Sequence, residues 1–359
     1  MASPDVRLSA AMRAALAQDA RLALPHCGHG EPVAMQARYE AEHRWWNEGG
    51  SEVAWHAEQL STRHGVVPVR FYRPGCRSLS PAGSGTTTQF PAGATRPIIV
   101  YLHGGSYCVG SPATHDRLTR ELAAATGCVV VSVDYTLAPR ARYPRISEEC
   151  EDAVVELARR YPGYPIVLAG DSCGATLSLG TWWRLARRAG EDGAGADACQ
   201  RAARRLAAKP IVALVLYYGE YGLPAAAVPP DSVSGADGTG GADGMSPADR
   251  AYYDSLYFSS PTERAAAPDI ALLRTELRGC PPVFLAAGEC DPLVADTRAL
   301  AAHLEARAVR THLEVVPGVM HAFLQRVRLL PEAERIIAHT AAFLADVLDR
   351  SGGRTRSNR

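Results

Sequence analysis

The apolar residues of this chain follow two regular spacings that take turns along most of its length. Leu8, Met12, Leu16 and Ala20 recur at every fourth position and predict an amphipathic helix from residue 8 to about 24, because one face of a helix returns at that interval. Residues 35–48, running up to Gly49-Gly50, predict a second helix. Trp45 and Trp46 lie at its end, where a large buried ring more often anchors a helix than lines a pocket. Val53–Ser61 and Val66–Tyr72 alternate apolar with polar residues on either side of a short turn, the pattern of a β-hairpin.

From Pro97 the spacing changes to short apolar runs separated by helical stretches. Strands are predicted at 97–103, 128–133, 165–170 and 211–217, with helices at 115–126, 147–160 and 173–188. Helix 247–257, strand 282–287, helix 294–307, strand 312–316 and helix 331–348 follow. Strands that alternate with helices pair in parallel and carry helices on both faces, which predicts an α/β fold. Four stretches stand outside this alternation. Residues 75–96 read as a surface loop, 189–208 as an exposed connector rich in arginine and glycine, 224–248 as a flexible low-complexity insertion, and 351–359 as a frayed, disordered tail.

Composition narrows the function classes. At 359 residues and 47% hydrophobic content, the chain is long enough for one large α/β domain with additional segments. Its formal net charge is zero, so it has no electrostatic footprint for nucleic acid or an anionic membrane. Nine cysteines, an odd number without a Cys-x-x-Cys pair, argue for reduced thiols in a cytoplasmic setting and against a metal site. No apolar run approaches the ~18 residues of a membrane span, and the first residues lack the apolar core of a signal peptide.

The strongest chemical signal is the run Pro165–Gly170 ending in Gly170-Asp171-Ser172-Cys173-Gly174 and passing into a helix. A strand, a tight glycine-flanked turn and a helix hold a serine hydroxyl out at the strand's carboxyl end. A neutral serine needs a base, the base an orienting acid, and the tetrahedral intermediate donors for its oxyanion. His321 follows the strand at 312–316 and is the candidate base. His303, His312 and His339 lie on helices or at a strand start and read as structural. Asp291 follows the strand at 282–287 and is the candidate acid, with Glu289 and Asp296 as rivals; Asp296 fits a first-turn helix position better. After the strand at 97–103, Gly104 and Gly105 offer amides unobstructed by side chains, and the amide of Cys173 completes the expected oxyanion hole. His103 and Asp171 are expected to support these loops by hydrogen bonds.

With these residues in place, the chain resembles the hormone-sensitive-lipase-like family of α/β-hydrolases, and within it the bacterial acetyl esterases. The resemblance rests on Tyr-Leu-His-Gly-Gly-Ser-Tyr at 101–107, Asp-Tyr-Thr-Leu-Ala-Pro at 134–139, Gly-Asp-Ser-Cys-Gly-Ala at 170–175, Glu-Cys-Asp-Pro-Leu at 289–293 and His-Ala-Phe-Leu at 321–324. It implies an eight-stranded, mostly parallel sheet over residues 51–350 and the triad Ser172, Asp291 and His321. It also implies a helical cap built from residues 1–50 and a segment after the sixth strand, with the N-terminal helices forming part of the acyl-binding wall. Ser106 stands where the family has a third glycine, and Cys173 where it has alanine or glycine.

The expected activity is hydrolysis of short-chain esters, acetyl to about butyryl, through an acyl-enzyme. No cofactor or metal is required, the partner is a small-molecule ester, and a homodimer is left open. Two alternatives are a non-catalytic ligand-binding or regulatory protein on a hydrolase scaffold, and a deacetylase or amidase of a larger small molecule.

Overall fold

Eight strands form one sheet in the order β1-β2-β4-β3-β5-β6-β7-β8 in a computed structural model of the chain, which describes residues 8–22, 28–75, 96–190, 201, 211–223 and 246–356. The hairpin β1 (Ala54–Thr62) and β2 (Gly65–Arg73) is antiparallel, and β2 also runs antiparallel to β4 (Val129–Val133). The other neighbours are parallel: β3 (Ile98–Leu102), β5 (Ile166–Asp171), β6 (Ile211–Tyr217), β7 (Val283–Gly288) and β8 (Thr311–Val316). The central strands have no polar alternation because both of their faces are covered. Along β3, Ile98, Val100 and Leu102 enter one core while Ile99 and Tyr101 enter the other.

Helices α3 (Asp116–Thr126) and α9 (Pro331–Arg356) pack together on one face; α4 (Arg145–Arg160) and α5 (Cys173–Gly190) pack together on the other. Helix α8 (Val294–Glu305) lies against β7 and β8. The chain leaves β3 for β4 on one side and returns to β5 on the other, so the carboxyl ends of β3 and β5 flank a point where the winding reverses. Open α/β sheets leave a crevice there.

The first helix is α1 (Ala10–Leu22), and α2 (Pro32–Arg44) starts and stops earlier than the apolar spacing suggests. Pro32 sits in its first turn, where a missing N–H costs nothing. Trp46 then anchors the turn that follows: it is 3% exposed and its Nε1 donates to Asp19 of α1 at 2.8 Å. Two helices, α6 (Pro247–Tyr257) and α7 (Pro261–Ala266), follow β6, each capped by a serine that accepts an amide from three residues on. Two expectations are corrected. Residues 189 and 190, expected in the connector, belong to α5, which continues through Gly190, and the tail expected from Ser351 is helical through Arg356, because α9 runs beyond its predicted end. The rest of the connector except residue 201, residues 76–95 of the surface loop, and 224–245 of the insertion lie outside the described residues.

Candidate active site

Ser172 sits at the first turn after β5 with φ of 52°, a left-handed conformation that is strained for a residue with a side chain. Two contacts force it. The Ser172 amide donates to Tyr217 O at 2.9 Å, tying the turn to β6. Gly174 lets the start of α5 approach β3 so closely that a Cβ would lie 2.0 Å from Leu102 O. The turn therefore projects Ser172 outward.

His321 and Asp291 arrive from the two strand ends named by the sequence. His321 Nε2 lies 3.0 Å from Ser172 Oγ, and its Nδ1 lies 2.9 Å from Asp291 Oδ2. A carboxylate only accepts, so Nδ1 carries the proton and Nε2 presents a lone pair to the serine hydroxyl. Asp291 is 1% exposed and its other oxygen accepts the Leu293 amide at 2.7 Å, which fixes the carboxylate against rotation. The rivals are occupied elsewhere. Glu289 accepts the Gly318 amide at 3.2 Å. Asp296 accepts the amides of Tyr221 and Leu223 at 2.8 and 3.0 Å, and burial pushes its carboxyl up to about 6. His303, His312 and His339 bond to Thr275 O, Glu314 and Glu314.

One part of the expected oxyanion hole is corrected. The Gly104 amide donates to Asp171 Oδ1 at 2.9 Å and is committed to the interior. That leaves Gly105 and Cys173 of the expected set. Gly105 has φ of 119°, and a Cβ there would meet Val109 O at 2.1 Å. The sulfur of Cys173 accepts the Tyr107 amide at 3.3 Å, so the residue that departs from the family pattern braces the loop carrying Ser106. Burial pushes its thiol up to about 12. His103 is held within the same loop: its Nδ1 donates to Gly104 O at 2.8 Å, its ring stacks on Tyr135 at 4.3 Å, and burial lowers its pKa to about 3.

Asp171 does more than stabilise a turn. It is fully buried, and Tyr101 donates to Oδ1 at 2.7 Å. Its Oδ2 faces His115 Nε2 at 3.3 Å and the Tyr218 hydroxyl at 3.4 Å. Burial alone would raise its pKa, but His115, the Tyr101 hydroxyl and the Gly104 amide outweigh it and bring the carboxyl down to about 2. The side-chain amide of Gln325 lies 2.7 Å from His115 Nε2 and 2.6 Å from His43 Nε2. His43 belongs to α2 and burial lowers its pKa to about 4. A chain of buried polar groups thus runs from the N-terminal helix to the oxyanion loop. The sequence reading named only Asp171 of these. Tyr101, a polar tip inside an otherwise aliphatic strand, was the one local signal for the rest.

A pocket opens beside Ser172 and Cys173. Its outer wall is Arg250, Tyr253 and Asp254 of α6, together with Glu220 and Leu293. Helix α6, in the segment after the sixth strand, thus lines this pocket. Helices α1 and α2, expected in the acyl-binding wall, contribute none of this lining; α2 instead reaches the site through His43 and Gln325. Among the described residues there is no cluster of three or more metal-ligand side chains and no helix long and apolar enough to cross a membrane.

Among solved structures, a hyperthermophilic esterase from the archaeon Pyrobaculum calidifontis is 27% identical with a TM-score of 0.73, covering 94% of this chain and 98% of that one. An esterase from the fungus Rhizomucor miehei is 23% identical with a TM-score of 0.74, covering 98% and 100%. An esterase of the bacterial hormone-sensitive lipase family is 23% identical with a TM-score of 0.69, covering 97% and 100%. At 23% identity the latter two bear on the fold. A family model described as alpha/beta hydrolase fold matches residues 99–325. That span starts in β3 and closes just past His321, taking in the oxyanion loop, the Ser172 turn and both later strand ends, and the chain belongs to the alpha/beta hydrolase fold family.

Proposed function

We propose that this chain is a serine hydrolase of carboxylic esters with short acyl groups, acetyl to about butyryl, an acetyl-esterase type of activity. The observation that carries the reading is the unbroken Ser172–His321–Asp291 hydrogen-bonded series, 3.0 and 2.9 Å. Ser172 Oγ attacks the ester carbonyl as His321 Nε2 takes its proton, and the carbonyl oxygen becomes an oxyanion. The amides of Gly105 and Cys173 donate to that charge. His321 then hands the proton to the departing alkoxide, leaving an acyl-enzyme and a free alcohol. Water, deprotonated by the same nitrogen, attacks the acyl carbon and releases the acid and Ser172. Asp291 holds the imidazole in the tautomer both steps need and stabilises it when charged. The resemblance to esterases and the small pocket support the substrate class. The odd count of nine cysteines without a Cys-x-x-Cys pair suits a reducing, cytoplasmic compartment. Every group in the scheme comes from one chain, so a homodimer is not needed for it.

A fluorophosphonate probe and a nitrophenyl ester series of increasing acyl length test the reading. Stoichiometric capture at Ser172, turnover of acetate and butyrate with a decline beyond, and loss of both in Ser172→Ala are expected. Ligand binding without capture would replace the enzyme with a binding protein on the same scaffold. Turnover of amides above esters would move the activity to amide cleavage.

A further inference from the structure

The pocket beside Ser172 carries charge where an acyl- or alkyl-binding pocket would be apolar. Glu220, in the loop after β6, pairs with Arg250 of α6 and, at 2.6 Å, with Arg264 of α7. Arg264 Nε also meets Asp254 Oδ2 at 3.0 Å. Glu220, Arg250 and Asp254 all line the pocket, together with Tyr107, Tyr253 and Leu293. Burial would raise the Glu220 pKa, but the two arginines more than offset it and hold the carboxylate ionised. The cluster holds two cations and two carboxylates, so its charges cancel.

Three kinds of substrate group fit this wall badly. An anionic group would have to draw Arg250 away from Glu220, and a cationic group would have to draw Asp254 away from Arg264. An alkyl group would displace water from side chains that are still 37% (Arg250), 36% (Asp254) and 24% (Glu220) exposed and give them nothing in return. A hydroxyl both donates and accepts, and can replace the displaced water bond for bond. The rings of Tyr107 and Tyr253 offer flat apolar faces for the carbons between such hydroxyls.

We propose that Glu220, Arg250 and Asp254 form a subsite for a neutral, hydroxylated part of the substrate, so that the preferred ester is one of a polyol or of a hydroxy acid. This rests on the hydrolase reading above and names the substrate class for it. Both sources share the hydroxyl chemistry, and matched esters separate them. One pair is 2,3-dihydroxypropyl acetate against butyl acetate, which places the hydroxyls on the leaving alcohol. The other is methyl 3-hydroxybutanoate against methyl 3-methylbutanoate, which places one on the acyl group.

Acid release by the full chain is followed at constant pH, and kcat/KM is compared within each pair. The hydroxylated ester is expected to exceed its alkyl partner at least tenfold in one pair, and that pair identifies the side of the scissile bond that the subsite serves. Arg250→Met, which leaves Glu220 held by Arg264, is expected to cut the ratio at least fivefold. A thermal melt reports whether the variant is folded, and Glu220→Gln provides the same comparison if it is not. Alkyl esters equal or better in both pairs, or a ratio that survives a folded variant, overturn the proposal while leaving the hydrolase intact. Absence of turnover on all four esters together with absence of fluorophosphonate capture at Ser172 overturns the hydrolase reading, and this proposal with it.

Discussion

Replacing Asp171 by asparagine keeps the shape of the side chain and removes one buried charge beside the nucleophile. In the native protein the carboxyl is drawn from its ordinary 3.8 to about 2. The group is fully buried, so the shift converts to roughly 2 kcal/mol of stability at neutral pH. The sign follows from the depressed value: this contribution is complete above about pH 4 and is lost as pH falls toward 2. At pH 3 about half of it remains. Asparagine can still accept from Gly104 and Tyr101 with its single oxygen, but then turns an NH2 group toward His115, Tyr218 and Gln325. That conflict adds a further cost that does not vary with pH. Urea unfolding of wild type and Asp171→Asn, followed by tryptophan fluorescence from pH 7 to pH 3, should show the variant less stable throughout. The gap should narrow by about 1 kcal/mol at the acid end. Ester turnover should fall about tenfold, because the misplaced NH2 group shifts the carboxamide that holds Gly104 and with it the loop that carries Gly105. A gap of constant size from pH 7 to pH 3 would refute the assignment of an ionised, folding-linked carboxylate at this position.

Gly105→Ala should leave a folded protein with kcat reduced at least ~100-fold, since the added carbon displaces an oxyanion donor; near-normal turnover by a variant with a native melting curve would remove Gly105 from the hole. Asp296→Asn should stabilise the protein at pH 7 by up to roughly 3 kcal/mol, because burial raises the carboxyl to about 6 and the asparagine oxygen can still accept from Tyr221 and Leu223. The native penalty appears as pH rises through about 6, so thermal melts of the two proteins should converge below pH 4, and a destabilised variant at pH 7 would contradict the reading. Cys173 should resist iodoacetamide at pH 8 in the folded protein, its thiol being buried and pushed up to about 12; rapid alkylation detected by peptide mass spectrometry would count against that placement.

The sheet and the strand-end positions that bring Ser172, Asp291 and His321 within hydrogen-bond distance were legible because both depend on local signals. Each strand from β3 to β7 is a short, mostly apolar run, β8 mixes polar with apolar residues, and Ser172, Asp291 and His321 each follow the end of a strand. Loop positions just past parallel strands converge in any such sheet, so order along the chain was enough to select them. The buried polar chain of His43, Gln325, His115 and Asp171 was not legible, because its members come from separate elements and share no spacing. Gln325 lies four residues beyond His321 in the sequence but bonds to His43 and His115, which come from two other helical regions. The use of the Gly104 amide was missed for a related reason. Two consecutive glycines advertise exposed N–H groups, and only the position of the Asp171 carboxylate decides which of them turns inward.

The site also depends on the order in which the sheet is completed. Ser172 and His321 are 149 residues apart, and Asp171 and Gly104 are 67 apart, so no local segment can assemble the site on its own. His321 follows β8, which is a terminal strand of the sheet with β7 as its single neighbour. Strands at a sheet's margin open at lower free energy than those at its centre. Fraying of β8 would withdraw His321, the proposed base, while Ser172, fixed between β3 and β6, stays in place. Activity should therefore be the first property lost in mild denaturant and the last regained on refolding, reporting on the sheet's margin while circular dichroism reports on its centre.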